Sequence, residues 1–583
     1  MKNCCDELFI REYAGQLRAI QTRATQTVAT MSAMLKAAFS KVRNNLFKGQ
    51  LPAVAVDPSD FTIVTEGKAD ILFPKQEEVF YNPIQQFNRD LSVTCIQAWD
   101  HLYGSKLKSH RQRKRTSSEP EAKRRKLDPK DEEHRYITIL EALSATGLRA
   151  IRYAKEIPHV KEIIANDLLP AAVKSIQRNI DYNGVQDIVT ANQDDANVLM
   201  YRKKSDNKKY HVIDLDPYGT VTPFIDAALQ SIEEDGLMLV TCTDLSVLAG
   251  NGYPEKCFAL YGGVNMVSHD ATHESALRLV LNLLNQSAAK YKKHVEPLLS
   301  LSIDFYVRVF VKVKTSPIKV KELQSNTMIT YHCSQCGSFA NQKLGRKVDK
   351  QSRKKKQQTI TKFSVAQGPP IDSKCQFCGG TSLLAGPMYA GPLHNHEFIE
   401  EVLKINEKRF KEKDTVYGTK ERIKGMLTLA KNELNHDGSQ FYFSPNTLSS
   451  LIKLQVPALK TIAAGLGSLG FECSLTHAQP STIKTNAPWD AIWYVMKKCH
   501  ENKEDYQGRN LEDMPEKGIG YRILKYLEDN KEHYDQLYGE KLSFAPNETS
   551  GSIEKLRKLK IVRYQENPTK NWGPKARPSG KET

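Results

Sequence analysis

Two carboxylates, a proline and an aromatic residue stand together at the end of an apolar stretch, in "DLDPYGT" (214–220). An exocyclic amine on a nucleobase is a weak nucleophile because its lone pair is delocalised into the ring. A site that methylates such an amine must hold it by hydrogen bonds to a carboxylate and a carbonyl, and must accept a proton late. Asp216 can supply the carboxylate, Pro217 fixes the turn without a competing N–H, and Tyr218 offers a face for stacking a flipped-out base.

The same tetrapeptide, Asp-Pro-Tyr-Gly, also has the composition of an ordinary turn. Amino-group methyltransferases carry an Asp, Asn or Ser, two prolines and an aromatic residue at this place, and the second proline is missing here. Its position after the fourth strand of a regular strand–helix series favours the catalytic interpretation. Cytosine C5 chemistry would need a cysteine in this motif, so we interpret the nearby Cys242 as a small core residue.

Acidic residues also follow earlier strands of this series, where an α/β sheet binds its ligands. The first strand is followed by "EALSATGLRA", whose single glycine makes it a poor phosphate-binding loop. Asp167 ends the second strand, where a carboxylate can accept hydrogen bonds from both ribose hydroxyls. Asp195 follows the third strand and can hold an adenine amino group, while Ala196 leaves room for the ring. Each acid alone is more often a helix cap, but together they indicate S-adenosylmethionine.

Two C-x2-C pairs predict a metal site. Each pair is followed by glycine, and 38 residues separate the second cysteine from the third. Four thiolates satisfy tetrahedral Zn²⁺ and leave no position for substrate, so the predicted role is structural. The neighbouring His332 is interpreted as a bystander. The predicted ligands are Cys333, Cys336, Cys375 and Cys378.

The elements that position these residues alternate regularly from residue 136. Apolar, β-branched runs alternate with amphipathic helices, which predicts a parallel sheet covered on both faces. The fold class is therefore α/β, a doubly wound class I methyltransferase domain. The stretch "LSIDFYVRVFVKV" (301–313) is expected to be one antiparallel strand at the sheet edge. Upstream, "DFTIVTEGKADILFP" (60–74) predicts a strand pair, and a helix is expected after Asn82-Pro83.

Composition suggests the domain boundaries. A mixed α/β C-terminal domain with a zinc-knuckle insertion is expected to follow the methyltransferase domain, and Trp489 and Trp493 are expected in its core. The predicted segments are a basic N-terminal tail (1–56), the methyltransferase domain (57–320) with a flexible basic insertion (104–133), a C-terminal domain (321–546) with its zinc site (331–380), and a basic, turn-rich tail (547–583).

Charge and hydropathy restrict the partners. The chain has 84 Lys plus Arg against 67 Asp plus Glu, a surplus of 17 in clusters such as "RQRKR" and "RKKK", which favours a nucleic acid. No segment reaches the roughly 18 apolar residues of a membrane-spanning helix. Residues 14–56 lack Asp and Glu, as in a mitochondrial transit peptide, although acidic residues precede them. Residues 111–129 have the pattern of a bipartite nuclear signal, which implies a nuclear import receptor as partner. A dual nuclear and mitochondrial location, with some cytoplasmic protein, is expected.

With these residues gathered, the chain resembles the tRNA guanine-26 N2-dimethyltransferase family from about Phe61 to Pro578. The stretches that carry the resemblance include "FYNPIQQFNRDLSV", "EALSATGLRAIRYA", "DLDPYGTVTPFIDAA" and the paired cysteines. It implies dimethylation of guanine 26 at N2 and a tRNA-binding C-terminal domain. It also implies that Arg89 and Arg149 help hold S-adenosylmethionine, and that Phe80 faces Tyr218 across the target guanine. Sequence leaves open whether Arg149 or Arg152, one turn away, contacts the cofactor.

Two alternatives remain at this stage. The protein could methylate another amino group on an RNA base, or it could bind and fold tRNA without turnover. Sequence does not tell mono- from dimethylation, which tRNAs are chosen, whether the N-terminal segment is cleaved, or the oligomeric state. Intact Asp167, Asp195 and "DPYG" favour the enzyme over the non-catalytic protein.

Overall fold

The computed structural model describes residues 60–75, 81–118, 135–351, 359–559 and 561–563, with the side chains of 105–118 excepted. All of the predicted transit segment, residues 119–129 of the predicted nuclear signal, and Phe80 of the predicted site lie outside the described residues.

A β-hairpin precedes the first helix, as predicted. Strand β1 (Phe61–Glu66) pairs with β2 (Ala69–Pro74), and Gly67 adopts the positive φ of 62° that the tight turn requires. A short 3-10 turn at Pro83–Gln85 then leads into α1 (Gln86–Ser118). This helix continues well into the segment predicted as a flexible insertion, so the first part of that segment is helical.

A seven-stranded sheet forms the centre of the first half. Its strands are β3 (Ile137–Glu141), β4 (Val160–Asp167), β5 (Val189–Gln193), β6 (Tyr210–Leu215), β7 (Ile232–Cys242), β8 (Lys293–Ile303) and β9 (Tyr306–Thr315). Their spatial order is β5-β4-β3-β6-β7-β9-β8. The first five in chain order run parallel, whereas β9 is antiparallel to both neighbours. The strand order reverses between β3 and β6, which is where such sheets bind ligands.

Helices cover both faces of this sheet and confirm the doubly wound prediction. They are α2 (Leu148–Glu156), α3 (Pro170–Asn183), α4 (Ala196–Ser205), α5 (Ile225–Ser231), α6 (Leu245–Leu248), α7 (Pro254–Tyr261) and α8 (Thr272–Ala289). Apolar residues of α1, α2 and α3 pack on one face, and those of α4, α5 and α8 pack on the other. Parallel strands buried on both faces explain the continuous apolar runs in the sequence.

The prediction that residues 301–313 form one edge strand is wrong. This stretch contains the turn between β8 and β9, at Asp304 and Phe305, and Asp304 has a φ of 42°. No glycine, proline or asparagine marks this turn, and both arms are rich in β-formers, so composition hides it. The strand at this edge is β8, and its Pro297 lies beside a register shift, one of the places where sheets accept proline.

The second half combines helices with small antiparallel sheets. Its strands are β10 (Thr327–Cys333), β11 (Phe339–Lys343), β12 (Gly345–Gln351), β13 (Thr359–Val365), β14 (Ser382–Tyr389), β15 (Tyr442–Phe443), β16 (Cys473–Ser474) and β17 (Ile483–Thr485). Its helices are α9 (Pro317–Lys321), α10 (His396–Lys411), α11 (Lys420–Asn432), α12 (Pro445–Leu451), α13 (Leu459–Ser468), α14 (Trp489–Glu501), α15 (Ile519–Asp529), α16 (Lys531–Tyr534) and α17 (Glu548–Lys558).

This half has a core of its own and also packs on the large sheet. Trp493 is fully buried in that core, and its indole N–H donates to the Ser338 hydroxyl at 2.9 Å. Both Trp489 and Trp493 are therefore core residues, as predicted. In addition, α10 packs against α1, and β14 packs against α8. The division at residue 320 stays a prediction. No described helix combines the length and apolarity that a membrane crossing needs.

The segment predicted as a turn-rich tail from Asn547 begins instead with a helix, α17. The Asn547 side chain accepts from Ser550 N while the Ser550 hydroxyl accepts from Asn547 N, a capping box that starts the helix. Ile553 is fully buried, so α17 belongs to the core of the second half.

Candidate functional site

The loop after β3 is shaped to approach a ligand closely. Gly147 caps the N-terminus of α2 with a φ of 80°, and Ala145 also has a positive φ, of 51°. Ser144 N donates to the carbonyl of Asn166 at 2.8 Å, which joins this loop to the end of β4. The first N–H groups of α2 therefore lie at the carboxyl edge of the sheet, beside the switch point.

Asp167 lies at the end of β4 with both carboxylate oxygens oriented by the backbone. Oδ2 accepts from Ala145 N at 2.9 Å, and Oδ1 accepts from Leu169 N at 3.0 Å. A carboxylate has about four acceptor positions, so each oxygen keeps capacity for a further hydroxyl donor. The side chain of the next residue, Leu168, is 63% exposed. An oriented acid beside an exposed apolar side chain fits a ribose with an attached base.

Asp195 and Ala196 begin α4 at the end of the adjacent strand. Asp195 Oδ1 accepts from the N–H groups of Asn197 and Val198, at 2.8 and 3.1 Å, so the residue is the N-cap of α4. Ala196 is buried. The structure thus brings Asp195 and Ala196 to the same edge as Asp167. Capping uses one oxygen of Asp195 and is compatible with a second bond to a ligand.

The loop that carries Asp216 is tied to the end of β7. Gly219 N donates to the Thr243 hydroxyl at 2.7 Å, and Thr243 N donates to the Gly219 carbonyl at 3.0 Å. Pro217 is buried, whereas the Tyr218 side chain is 53% exposed. The aromatic face of Tyr218 is therefore presented at the edge of the sheet, next to a half-buried carboxylate.

Arg149 connects Asp216 to a buried charge network. One guanidinium nitrogen contacts the Asp216 carboxylate directly, and another lies 3.4 Å from Asp214. Asp214 also accepts from Arg308 at 2.9 Å and from the Tyr153 hydroxyl at 2.6 Å. Burial alone would raise the pKa of Asp214, but Arg308 and Arg149 together hold it below its ordinary value. Asp214 is therefore ionised and fixes Arg149 in place.

The structure separates the roles of Arg149 and Arg152. Arg152 is fully buried and pairs with Glu66, Asp90 and Glu156, at 2.7 to 2.9 Å. Only Arg149, of these two, lies at the carboxyl edge with Asp216. Arg89, on α1, pairs with Glu66 through its Nε at 2.6 Å and is 9% exposed.

Sequence reasoning missed Asp214 and Arg308 as parts of the site. Arg308 is fully buried and also donates to Thr241 and Ser92, at 2.6 and 2.7 Å. The available signal was a charged residue inside an apolar strand, because an arginine in "YVRVFV" must find a buried acid. Cys242, in contrast, is buried in the core as predicted, and burial raises its pKa to about 12.

The four predicted zinc ligands come together. Their sulfurs all lie within 4.8 Å of one another, with 3.4 Å between Cys333 and Cys378 and 3.6 Å between Cys336 and Cys375. Tetrahedral Zn–S bonds of about 2.3 Å put sulfurs about 3.8 Å apart, so the donor set fits zinc. His332 is outside this group, as predicted, and burial lowers its pKa to about 4.

A second cluster, His394, Glu433 and His477, does not have the hydrogen bonds of a metal site. Ser300 N and Ser302 N donate to His394 Nδ1 and His477 Nε2, at 3.3 and 3.2 Å. Each ring therefore carries its proton on the nitrogen that faces Glu433, where a metal would need a lone pair. Lys484 also pairs with Glu433 at 2.9 Å. Glu433 therefore forms a buried ion pair with Lys484 and a hydrogen bond with His477, at 2.6 Å, while His394 Nε2 lies 4.0 Å from it.

A cavity of about 890 Å³ lies in the second half, between the cysteine cluster and α14. Its walls include β11, Pro369–Asp372 and Trp489. The candidate residues at the carboxyl edge of the large sheet do not line it, so this cavity is separate from them.

Comparison with known proteins agrees with this geometry. A family model described as N2,N2-dimethylguanosine tRNA methyltransferase matches residues 59–497. A Saccharomyces cerevisiae protein named tRNA (guanine(26)-N(2))-dimethyltransferase, mitochondrial, is 66% identical and covers 94% of this chain and 97% of its own. The human protein named tRNA (guanine(26)-N(2))-dimethyltransferase is 37% identical over 89% of this chain and 78% of its own. The solved complex of Trm1 from Pyrococcus horikoshii with S-adenosyl-L-methionine is 25% identical, with a TM-score of 0.57, over 74% of this chain and 99% of that one.

Proposed function

The chain belongs to the N2,N2-dimethylguanosine tRNA methyltransferase family, and from this premise we propose how its residues divide the reaction. It is an S-adenosylmethionine-dependent enzyme that methylates N2 of guanine 26 in tRNA to give N2,N2-dimethylguanosine. Of the three functions considered from sequence, family membership therefore favours guanine N2 methylation. Methylation of another base amino group and tRNA binding without catalysis are the two that it disfavours.

Asp216 is the proposed catalytic residue. The observation that carries this assignment is its place after β6, at the strand-order switch, in contact with Arg149 and beside exposed Tyr218. Asp216 accepts a hydrogen bond from the guanine N2 amine, which localises the nitrogen lone pair, and takes up a proton after transfer. The backbone carbonyl of Leu215 or of Pro217 accepts from the same amine. Bound S-adenosylmethionine supplies the methyl group on its sulfonium.

Tyr218 is proposed to stack on the target guanine once the base leaves the tRNA helix. Base–aromatic stacking contributes about 1 to 3 kcal/mol, enough to offset part of the cost of flipping the base. Phe80 is proposed to cover the opposite face of the guanine, as the family resemblance implies. Phe80 lies outside the described residues, so this pairing rests on the resemblance.

The cofactor is proposed to bind across the ends of β4 and β5. Asp167 accepts from the ribose hydroxyls, Asp195 accepts from the adenine amino group, and Ala196 gives the ring space. Arg89 and Arg149 are proposed to pair with the cofactor carboxylate, since an arginine fork matches a carboxylate in two hydrogen bonds. The positions of Asp167 and Arg149 at one edge of the sheet support this arrangement.

Zinc is proposed to bind Cys333, Cys336, Cys375 and Cys378 in a structural role. The spacing of the four sulfurs supports it. The C-terminal half is proposed to bind tRNA, in part through basic residues of the β12–β13 hairpin, where Arg346, Lys350 and Lys362 are exposed. Phosphate neutralisation by such residues makes affinity fall with salt.

A mitochondrial location is proposed because the Saccharomyces cerevisiae relative is named mitochondrial and residues 14–56 lack acidic side chains. A nuclear location, with an import receptor as partner, rests on the basic clusters of 111–129. Fusion of residues 1–56 to a reporter, and of 111–129 to another, tests the two signals separately.

The test of the function is to incubate purified protein with labelled S-adenosylmethionine and bulk tRNA, and then to identify the nucleosides by mass spectrometry. We expect N2,N2-dimethylguanosine at position 26. Asp216→Asn is expected to lower kcat at least a hundredfold, whereas Asp226→Asn, a hydrogen-bonded surface carboxylate, is expected to keep wild-type activity. Undiminished turnover by Asp216→Asn would refute the catalytic assignment.

A further inference from the structure

Tyr306 lies at the carboxyl edge of the sheet, where the proposed chemistry takes place. It is the first residue of β9, directly after the turn at Asp304 and Phe305. Because β9 is antiparallel to β7, this turn lies beyond the carboxyl end of β7: Cys242, the last residue of β7, is opposite Val307. The β6 strand that precedes Asp216 is the other neighbour of β7. Two strand spacings of about 4.8 Å place β6 and β9 about 10 Å apart.

Tyr306 and Asp216 are on the same face of the sheet. Side chains alternate along a strand, so Tyr306 shares the face of Arg308, and Asp216 lies two residues beyond Asp214. Arg308 and Asp214 are joined by an ion pair at 2.9 Å, and Arg149 contacts both Asp214 and Asp216. All of these groups therefore lie on one face of the sheet. Tyr306 lies two residues closer than Arg308 to the carboxyl edge.

The Tyr306 hydroxyl can donate a hydrogen bond to a ligand. The side chain is 2% exposed, and among the described residues its hydroxyl oxygen has no hydrogen-bond partner. A buried hydroxyl left unpaired costs free energy, so a ligand that pairs it gains affinity. Burial and the nearby Asp304 and Asp216 raise the pKa of Tyr306, while Arg422 and Arg308 oppose the rise. The hydroxyl is therefore protonated at neutral pH.

The turn before Tyr306 is held rigidly from the second half of the chain. Arg422, on α11, donates to both carboxylate oxygens of Asp304, at 2.8 and 2.7 Å, and through Nε to the carbonyl of Arg563 at 2.9 Å. Both bonds to Asp304 come from the single nitrogen Nη2, and charge-assisted hydrogen bonds of this kind are stronger than neutral ones. The turn that precedes Tyr306 is thus held in place before any ligand arrives.

We propose that the Tyr306 hydroxyl donates a hydrogen bond to O6 of the target guanine, at the opposite end of the base edge from the N2 amine held by Asp216. This inference rests on the proposed role of Asp216. Guanine presents an acceptor at position 6, whereas adenine presents an amino donor there. Tyr306 is therefore a specificity-determining residue that favours guanine. A base without an acceptor at position 6 leaves this hydroxyl unpaired and is bound more weakly.

The test combines Tyr306→Phe with a one-atom change in the base. Tyr306→Phe is expected to lower kcat/KM for tRNA with G26 about tenfold, the value of one hydrogen bond, with unchanged S-adenosylmethionine affinity and a Tm no lower than that of wild type. Tyr210→Phe is the matched control, because that hydroxyl is also buried and without a hydrogen-bond partner among the described residues. Tyr210 begins β6 and therefore lies at the amino-terminal ends of the parallel strands, away from Asp216. The control is expected to match wild type.

The second substrate is tRNA with 6-thioguanosine at position 26, whose sulfur is a weak acceptor while N1–H and the N2 amine are kept. In wild type this change is expected to cost about tenfold in kcat/KM, and in Tyr306→Phe much less, because the bond is already absent. The ratio of the two substrates on one protein is independent of the folded fraction. Equal ratios in wild type and Tyr306→Phe would overturn the inference about Tyr306 alone, whereas full activity of Asp216→Asn would overturn the proposed function.

Discussion

The guanidinium of Arg149 and the carboxylate of Asp216 are in direct contact at the carboxyl edge of the sheet. Another nitrogen of the Arg149 guanidinium lies 3.4 Å from the carboxylate of Asp214. Asp214 in turn is paired with fully buried Arg308. A series of alternating charges therefore extends from the core to the proposed catalytic acid. Its effect is to fix the carboxylate that is proposed to meet the guanine amine, since misplacement of a reacting group costs rate steeply.

Arg149→Lys is predicted to lower kcat about tenfold at saturating S-adenosylmethionine, because a lysine cannot contact Asp214 and Asp216 in the same fork geometry. The KM for S-adenosylmethionine is expected to rise as well, as the proposed cofactor contact requires. Arg409→Lys is the control, a buried arginine that donates to Thr94 and Gln97 away from this edge. An unchanged kcat in Arg149→Lys would show that Arg149 does not position Asp216.

Asp167→Asn is predicted to weaken S-adenosylmethionine binding about tenfold or more, since an amide offers one acceptor oxygen where the ribose hydroxyls need two. Isothermal titration calorimetry measures the affinity in the absence of tRNA. Asp187→Asn, an exposed acid in the turn before β5, serves as control. Equal affinities of Asp167→Asn and wild type would remove Asp167 from the cofactor site.

The cysteine cluster is predicted to hold one zinc per chain, measured by elemental analysis of the purified protein. Cys336→Ser is expected to lower both the zinc content and Tm, because a structural site contributes directly to folding free energy. Cys473→Ser, a buried cysteine outside the cluster, is expected to keep its zinc. Full zinc occupancy in Cys336→Ser would argue against the four-cysteine site.

Neutralising the exposed basic residues of the β12–β13 hairpin is predicted to weaken tRNA binding and to reduce its salt dependence. The triple change Arg346→Gln, Lys350→Gln and Lys362→Gln should lower the slope of log affinity against log salt by about one unit for each phosphate that the variant no longer neutralises. The control is a triple change to glutamine of the exposed Lys404, Lys408 and Lys411 on α10, which removes the same number of positive charges from another surface. An identical slope in the hairpin variant and wild type would place the phosphate-binding residues elsewhere.

Glu66 is predicted to stabilise the fold above mildly acidic pH. It pairs with Arg89 and Arg152, and these charges outweigh burial and lower its pKa from 4.5 to about 2. An acid whose pKa is depressed by folding contributes stability above pH 4.5 and loses it as the pH falls toward 2. A shift of this size corresponds to about 3 kcal/mol at most. Urea unfolding at several pH values should show a gentler acid loss in Glu66→Gln than in wild type.

The sequence determined the doubly wound fold, the four cysteines that cluster and the position of Asp167, Asp195 and Asp216 at the carboxyl edge, because strand-end acids and cysteine pairs are local patterns with a fixed period or spacing. It missed the turn between β8 and β9, which has no glycine, proline or asparagine, and so it did not show that Tyr306 begins a separate strand. Which of Arg149 and Arg152 lies beside Asp216 was also beyond it, since both are on one helix a single turn apart. Tertiary structure decided these points because the partner of a buried charge, such as Asp214 for Arg308, comes from a distant strand. Such pairings depend on strand order and register, and local sequence patterns do not reveal either.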